Sequence, residues 1–127
     1  MALIPTLTLF DFEARKGAAS DSDRDAWIAK MAAQLRAFSQ ADGEVLFGTD
    51  VGYTDHFDTA LEFTLMARAG MSFQQILASL TTAPARRFGA SGRSGRVVRG
   101  MAADLVVLDG DPDKDITALS RVRSIFW

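Results

Sequence analysis

Apolar and polar positions change period several times along this chain. Residues 3–10, LIPTLTLF, are apolar and rich in β-formers, with Pro5 near the start, where a strand tolerates it best; they predict a strand. The opposite charges and Gly17 of DFEARKGAAS, residues 11–20, predict a loop. A helix is expected from about Asp23 to Gln40. Trp27, Met31, Leu35 and Phe38 recur there at helical spacing with Ile28 beside them. Ser20 or Ser22 can cap it, and Asp21, Asp23 and Asp25 suit the positive end of its dipole. Asp42-Gly43 ends it. Residues 44–49, EVLFGT, predict a second short strand, apolar enough to be buried on both faces.

Residues 50–58 form a polar loop. A helix is expected from about Thr59 to Ala69, stopping at Gly70. Another begins at Ser72, which makes a capping box with Gln75, and turns Phe73, Ile76, Leu77 and Leu80 to one side. Pro84 opens a last helical turn that closes at Gly89. From about residue 90 the chain is rich in glycine and turn residues. Val97-Val98 and Leu105 to Leu108 are expected as strands joined by a turn at Gly100, with a last strand at 121–126. The expected organisation is therefore a unit over 1–90 and a β-rich unit over 91–127.

Strands alternating with helices point to an α/β fold with parallel βαβ units. Two units do not close a sheet, and a (β/α)8 barrel needs eight in about 250 residues. The chain is either a small two-layer domain or the end of something larger.

Composition removes several functions. Fourteen basic against sixteen acidic residues leave a net charge of −2, which argues against a general nucleic-acid binder. The absence of cysteine excludes disulfides, thiolate metal sites and cysteine nucleophiles. A single histidine, His56, cannot build a multi-histidine metal site. No run approaches the ~18 apolar residues of a membrane span. Met1 to Pro5 lacks the basic flank of a signal peptide, so a cytoplasmic protein with no membrane partner is expected.

Chemistry is most legible at Gly48-Thr49-Asp50-Val51-Gly52. Asp50 follows an apolar strand at its carboxyl end, where α/β folds place their sites, and the glycines let a ligand approach the backbone. The same Asp and Gly also suit an ordinary turn. His56 could be a ligand or proton carrier, or an exposed loop histidine. Asp55 and Asp58 could join Asp50 around a hard cation, or be solvated acids, one of them capping the next helix. Arg86, Arg87, Arg93, Arg96 and Arg99 run without an intervening acid. They could bind phosphate or an acidic partner, or form a solvated turn region.

Four segments in one order resemble a known family. LFGTDVG, EFTLMARAGMSFQQILASLTTAPARRFG, GRVVRGMAADLVVLDGDP and DITALSRVRSIF are similar to the C-terminal end of the metal-dependent amidohydrolase superfamily, in its imidazolonepropionase and prolidase-like branch. The pattern G-x-x-x-x-G-x-x-A-D-L-V-V-L, from Gly95 to Leu108, is the most specific of these motifs. The resemblance implies the last two βα units of a (β/α)8 barrel of the TIM type, followed by a segment of a small β-sandwich. LIPTLTLF would be the seventh barrel strand and EVLFGTD the eighth. Asp50 would then be both a metal ligand and the catalytic proton acceptor from the attacking water. Glu62 matches an acid often found in the following helix, with no catalytic role implied. The family's other ligands, histidines on earlier strands and in many members a carboxylated lysine, have no counterpart here.

The resemblance implies a hydrolase of C–N bonds in small amide, cyclic amide or dipeptide-like substrates, with a divalent metal, zinc by family expectation. The isolated chain is expected to be inactive and to bind no metal stably. A second reading is a non-catalytic barrel remnant. Unpaired strand edges and an open apolar face would lead it to self-associate or to pair with a missing N-terminal barrel portion. A third is a small α/β domain binding phosphate at its arginines.

Overall fold

The computed structural model describes residues 1–17, 20–55 and 57–127. Strand β1 (Ala2–Leu3) is followed by helix α1 (Leu7–Gly17) and helix α2 (Asp21–Gln40); strand β2 (Glu44–Val45) then pairs with β1 in parallel, Ala2 opposite Glu44 and Leu3 opposite Val45. The ladder extends by one bond from Leu46 N to Leu3 O at 2.9 Å. Helices α3 (Ala60–Arg68), α4 (Phe73–Leu80) and α5 (Thr82–Arg87) follow. Strands β3 (Leu105–Leu108) and β4 (Val122–Phe126) form a separate antiparallel pair joined through a 3-10 turn, Ile116–Ser120. The architecture is mixed α/β.

The strand expected over 3–10 is corrected to two residues, and the loop expected over 11–20 is helical to Gly17. Pro5 fixes its own φ and offers no N–H to a ladder. Thr6 then takes a left-handed φ of 45°, which ends any strand. Beyond it the buried residues are Leu7, Thr8, Asp11 and Ala14, a helical spacing. The opposite charges of 11–16 are ion pairs along that helix. Arg15 Nε donates to Asp11 Oδ2 at 2.7 Å, and Lys16 Nζ to Glu13 Oε1 at 3.1 Å. The end of the expected loop, residues 18 and 19, lies outside the described residues.

Ser20 caps α2, its side chain accepting from Asp23 N at 3.2 Å. Leu35 is the fully buried member of the expected apolar face; Ile28, Met31 and Phe38 pack beside it, while Trp27 stays largely exposed. Ser72 and Gln75 make the expected capping box on α4. The strand expected at Val97-Val98 does not form, and both valines are exposed. They lie within a run of turns and bends between Ser91 and Gly100, and no strand pairs with them among the described residues.

The core lies between β1–β2 and the helices. Leu7, Leu35, Phe63, Met66 and Ile76 are its centre, each almost fully buried. Ile116 and Leu119 from the 3-10 turn cover the same core, so the C-terminal segment folds back against α3. Asp115 begins that turn. Hydrogen bonds from Thr117 Oγ1 and N and from Arg121 lower its carboxyl to about 2. Gly43 is required by packing, because a Cβ there would collide with the Phe38 ring and carbonyl.

Ile76 has no exposed surface and sits where α4 meets the core. Ile76→Ala is expected to cost ~2–5 kcal/mol, read from urea denaturation midpoints.

Candidate functional site

Asp50 stands beyond the carboxyl end of β2 and beside that of β1, because the two strands are parallel and in register. Phe47 is held by its backbone N–H, which donates to Ser79 O at 3.1 Å, and its ring stacks on Phe63 with centroids 4.7 Å apart. Gly48 lies so close to β1 that an added Cβ would sit 2.6 Å from Ile4 Cγ2. Thr49 is buried, and Asp50 emerges into solvent.

The backbone reverses at Asp50. Its φ of 58° is left-handed, a conformation Asp, Asn and Gly adopt most readily. Asp50 O accepts from Tyr53 N at 3.2 Å, and Gly52 N donates to Thr54 O at 3.1 Å. Gly52 supplies the next positive φ, 112°. Both features of Asp-Val-Gly seen in the sequence are therefore present: a turn, and an acid displayed at the strand end. Thr54 Oγ1 is buried without a hydrogen-bond partner among the described residues.

Glu62, on α3, has a fully buried side chain. Oε1 accepts from Leu7 N at 2.9 Å, and Oε2 accepts from Thr8 N at 2.6 Å and from Thr8 Oγ1 at 2.8 Å. The carboxylate thus caps the first turn of α1, satisfying donors that a helix start leaves unpaired and meeting the positive end of its dipole. Burial pushes the Glu62 carboxyl above the ordinary carboxylate range, against the three hydrogen bonds that pull it down.

A second tie reaches the Asp50 loop from α1. Lys16 Nζ lies 3.9 Å from the Phe12 ring centroid and 5.8 Å from that of Tyr53. Arg36 performs the matching service at the far end of α3, where its Nε donates to Ala69 O at 2.9 Å and its Nη2 to Arg68 O at 3.2 Å.

The other candidates separate. Asp58 Oδ1 accepts from Ala60 N at 2.9 Å, a local turn bond just ahead of the N-cap residue Thr59, whose own side chain makes no cap bond, and Asp55 is exposed. His56 lies outside the described residues. Arg86 and Arg87 pair with Glu44 at 2.9 and 3.4 Å, at the opposite end of β2 from Asp50. Among the described residues no three His, Asp or Glu side chains gather as a metal site. A zinc centre takes three or four protein ligands. One exposed carboxylate does not fit a complete centre, and Asp50 could serve only as one ligand of a site completed by other residues.

Sequence reasoning noted Glu62 without a role and missed its partners, which lie 54 and 55 residues away. It also missed Arg36. The available hint was a cation, four residues on from Ala32, on the helix face that carries Ile28 and Ala32.

The carboxyl end of a parallel strand pair backed by helices is where α/β folds place their sites, whatever their chemistry. The chain belongs to the amidohydrolase family, whose family model matches residues 15–126. That family is generally metal-dependent. Three solved structures show the likeness. A Xaa-Pro dipeptidase with methionine bound in its active site is 23% identical, with a TM-score of 0.84 over 98% of this chain and 32% of that one. A protein of Bifidobacterium longum assigned as a prolidase is 27% identical, with a TM-score of 0.78 over 98% of this chain and 33% of its own. An ochratoxinase of A. niger is 19% identical, with a TM-score of 0.74 over 99% and 30%. No curated protein sequence matches the chain. The chain therefore spans about a third of the length of the solved proteins it resembles. These neighbours are TIM-barrel amidohydrolases.

Replacing Glu62 by Gln keeps one acceptor but turns an amide N–H₂ towards backbone donors, and is expected to cost ~1–3 kcal/mol. The pH dependence has a defined sign. A carboxyl whose folded pKa is raised contributes stability that is complete below its unfolded value and is lost as pH rises through the folded value. The gap between wild type and Glu62→Gln, from urea titrations, should therefore widen on acidification towards about pH 4.5. A gap that narrows would mean that the three hydrogen bonds outweigh burial.

Proposed function

We propose that this chain is the C-terminal third of a metal-dependent amidohydrolase that hydrolyses the C–N bond of a small dipeptide-like substrate. On this reading β1 and β2 are the seventh and eighth strands of the (β/α)8 barrel, and residues 91–127 belong to its small β-sandwich. The observation that carries it is the fit of 98% of the chain to about a third of a Xaa-Pro dipeptidase fold. A dipeptide-like substrate is preferred over a cyclic amide because another neighbour is a prolidase complexed with N-methylphosphonate-L-proline.

In the intact enzyme Asp50 is the catalytic residue of this chain. Its carboxylate accepts a proton from the attacking water and returns it to the leaving nitrogen as the C–N bond breaks. It is also one ligand to a divalent metal, with zinc the expectation, whose other ligands lie outside these residues. The 127-residue chain alone is proposed to bind no metal stably and to turn over no substrate. The proposed location is the cytoplasm.

Exposed Ile4, Val51, Tyr53 and Phe57 near the strand ends favour a second reading of the isolated chain. Its open apolar side would pair with the missing N-terminal barrel portion or with another copy.

The coding DNA directly upstream of the Met1 codon tests the first reading. An in-frame extension carrying His-x-His and later histidines supports an enzyme, and a stop codon supports a remnant. In the extended protein, Asp50→Asn is expected to lower kcat on Xaa-Pro dipeptides by about 10²–10⁴-fold. Its urea midpoint should stay within ~0.5 kcal/mol of wild type, because Asn also tolerates the left-handed backbone. Metal-dependent hydrolysis by the pure 127-residue chain would overturn its proposed inactivity.

A further inference from the structure

An open groove of about 460 Å³ runs between α2 and α3, away from the Asp50 turn. Its floor is apolar and shallow, made by Ile28, Ala29, Ala32 and Leu65. Asp25 stands at one end, and Arg36 and Arg68 at the other. On α2, Asp25, Ala29, Ala32 and Arg36 follow one another at intervals of four, three and four residues, which keeps them on a single seam. The seam is self-complementary when reversed. Asp25 and Arg36 lie equally far on either side of the midpoint between Ala29 and Ala32.

We infer that this groove is the contact surface for a second copy of the same chain, in which two α2 helices pack antiparallel about a two-fold axis between Ala29 and Ala32. The charges fit this occupant. The Asp25 carboxylate of one protomer meets Arg36 and Arg68 of its partner, and the exchange is repeated across the axis, as an isologous interface requires. The geometry fits as well. Alanine at the two central positions lets the helix axes come close, and Ala29 of one protomer falls opposite Ala32 of the other. Arg36 is already fixed in direction by its bonds to Ala69 O and Arg68 O, so it loses little freedom on pairing. Asp25 accepts from the neighbouring Arg24 Nη2 through Oδ1 at 3.2 Å, and Oδ2 has no partner among the described residues. A single helix seam is smaller than a standard interface, so the dimer is weak and reversible. The inference does not depend on the proposed reaction.

Sedimentation of the full 127-residue chain at up to about 500 µM should show a reversible monomer–dimer equilibrium, weakened at least about tenfold by Asp25→Arg. Mild oxidation gives the register. Ala29→Cys protein mixed with Ala32→Cys protein should form the mixed disulfide in clear excess over either variant alone, since only unlike positions face each other. Both alanines lie on the rim or floor of an open groove, and circular dichroism checks that the variants fold. A monomer throughout the concentration range overturns the inference. So does a dimer that ignores Asp25→Arg, or one whose cysteines show no preference for the mixed pair; such a dimer would use the open strand edges instead.

Discussion

The structure depends on one buried carboxylate. Glu62 belongs to α3, yet its oxygens complete the start of α1, more than fifty residues earlier in the chain. Three donors converge on it, and water is excluded. A charge in that position is costly unless it is fully paired. The pairing fixes where the chain leaves β1, and so fixes the direction of α1. From α1 the constraint passes to Tyr53 through Lys16, and to α2 through Asp11, which lies 3.6 Å from Arg24. The turn carrying Asp50 rests on this frame from one side and on the Phe47–Phe63 stack from the other.

Two kinds of surface follow from the way the helices are arranged. Towards the strand ends, apolar side chains such as Val51 and Phe57 are exposed around a catalytic candidate. On the far side of β2, Arg86 and Arg87 share the single carboxylate of Glu44. The exposed acid Asp50 and the Glu44 ion pairs therefore sit at opposite ends of the same strand. That polarity is the one parallel α/β folds use, with function at the carboxyl ends of strands and stability at the amino ends. The antiparallel β3–β4 pair is different, since β4 is exposed along its whole length.

Much of this was legible from local pattern. The capping box at Ser72, the cap at Ser20 and the strand at Leu105 to Leu108 are written in adjacent residues, and they form. The turn at Asp50 was legible too, because Asp and Gly are turn residues; a catalytic role was not, since the same residues serve the turn alone. The first ten residues were misread because Leu and Thr alternate there as they would in a strand. What decides their conformation is the distant Glu62 and the break at Pro5 and Thr6. A cap supplied from another helix leaves no local trace, since only the donor side is written at 7 and 8. Val97 and Val98 failed for the converse reason. Their β-propensity is real, but propensity needs a neighbouring strand to act on.

The left-handed backbone at Asp50 has an evolutionary corollary. Catalysis would demand a carboxylate at this position, and the turn independently favours Asp, Asn or Gly. A descendant released from selection for chemistry would not drift freely here. It would be held by geometry to the same short menu, with Asn one nucleotide change away. An aspartate at this position in a related chain is therefore weaker testimony to activity than it looks, whereas a bulky or β-branched residue would be strong testimony that the turn itself has been rebuilt.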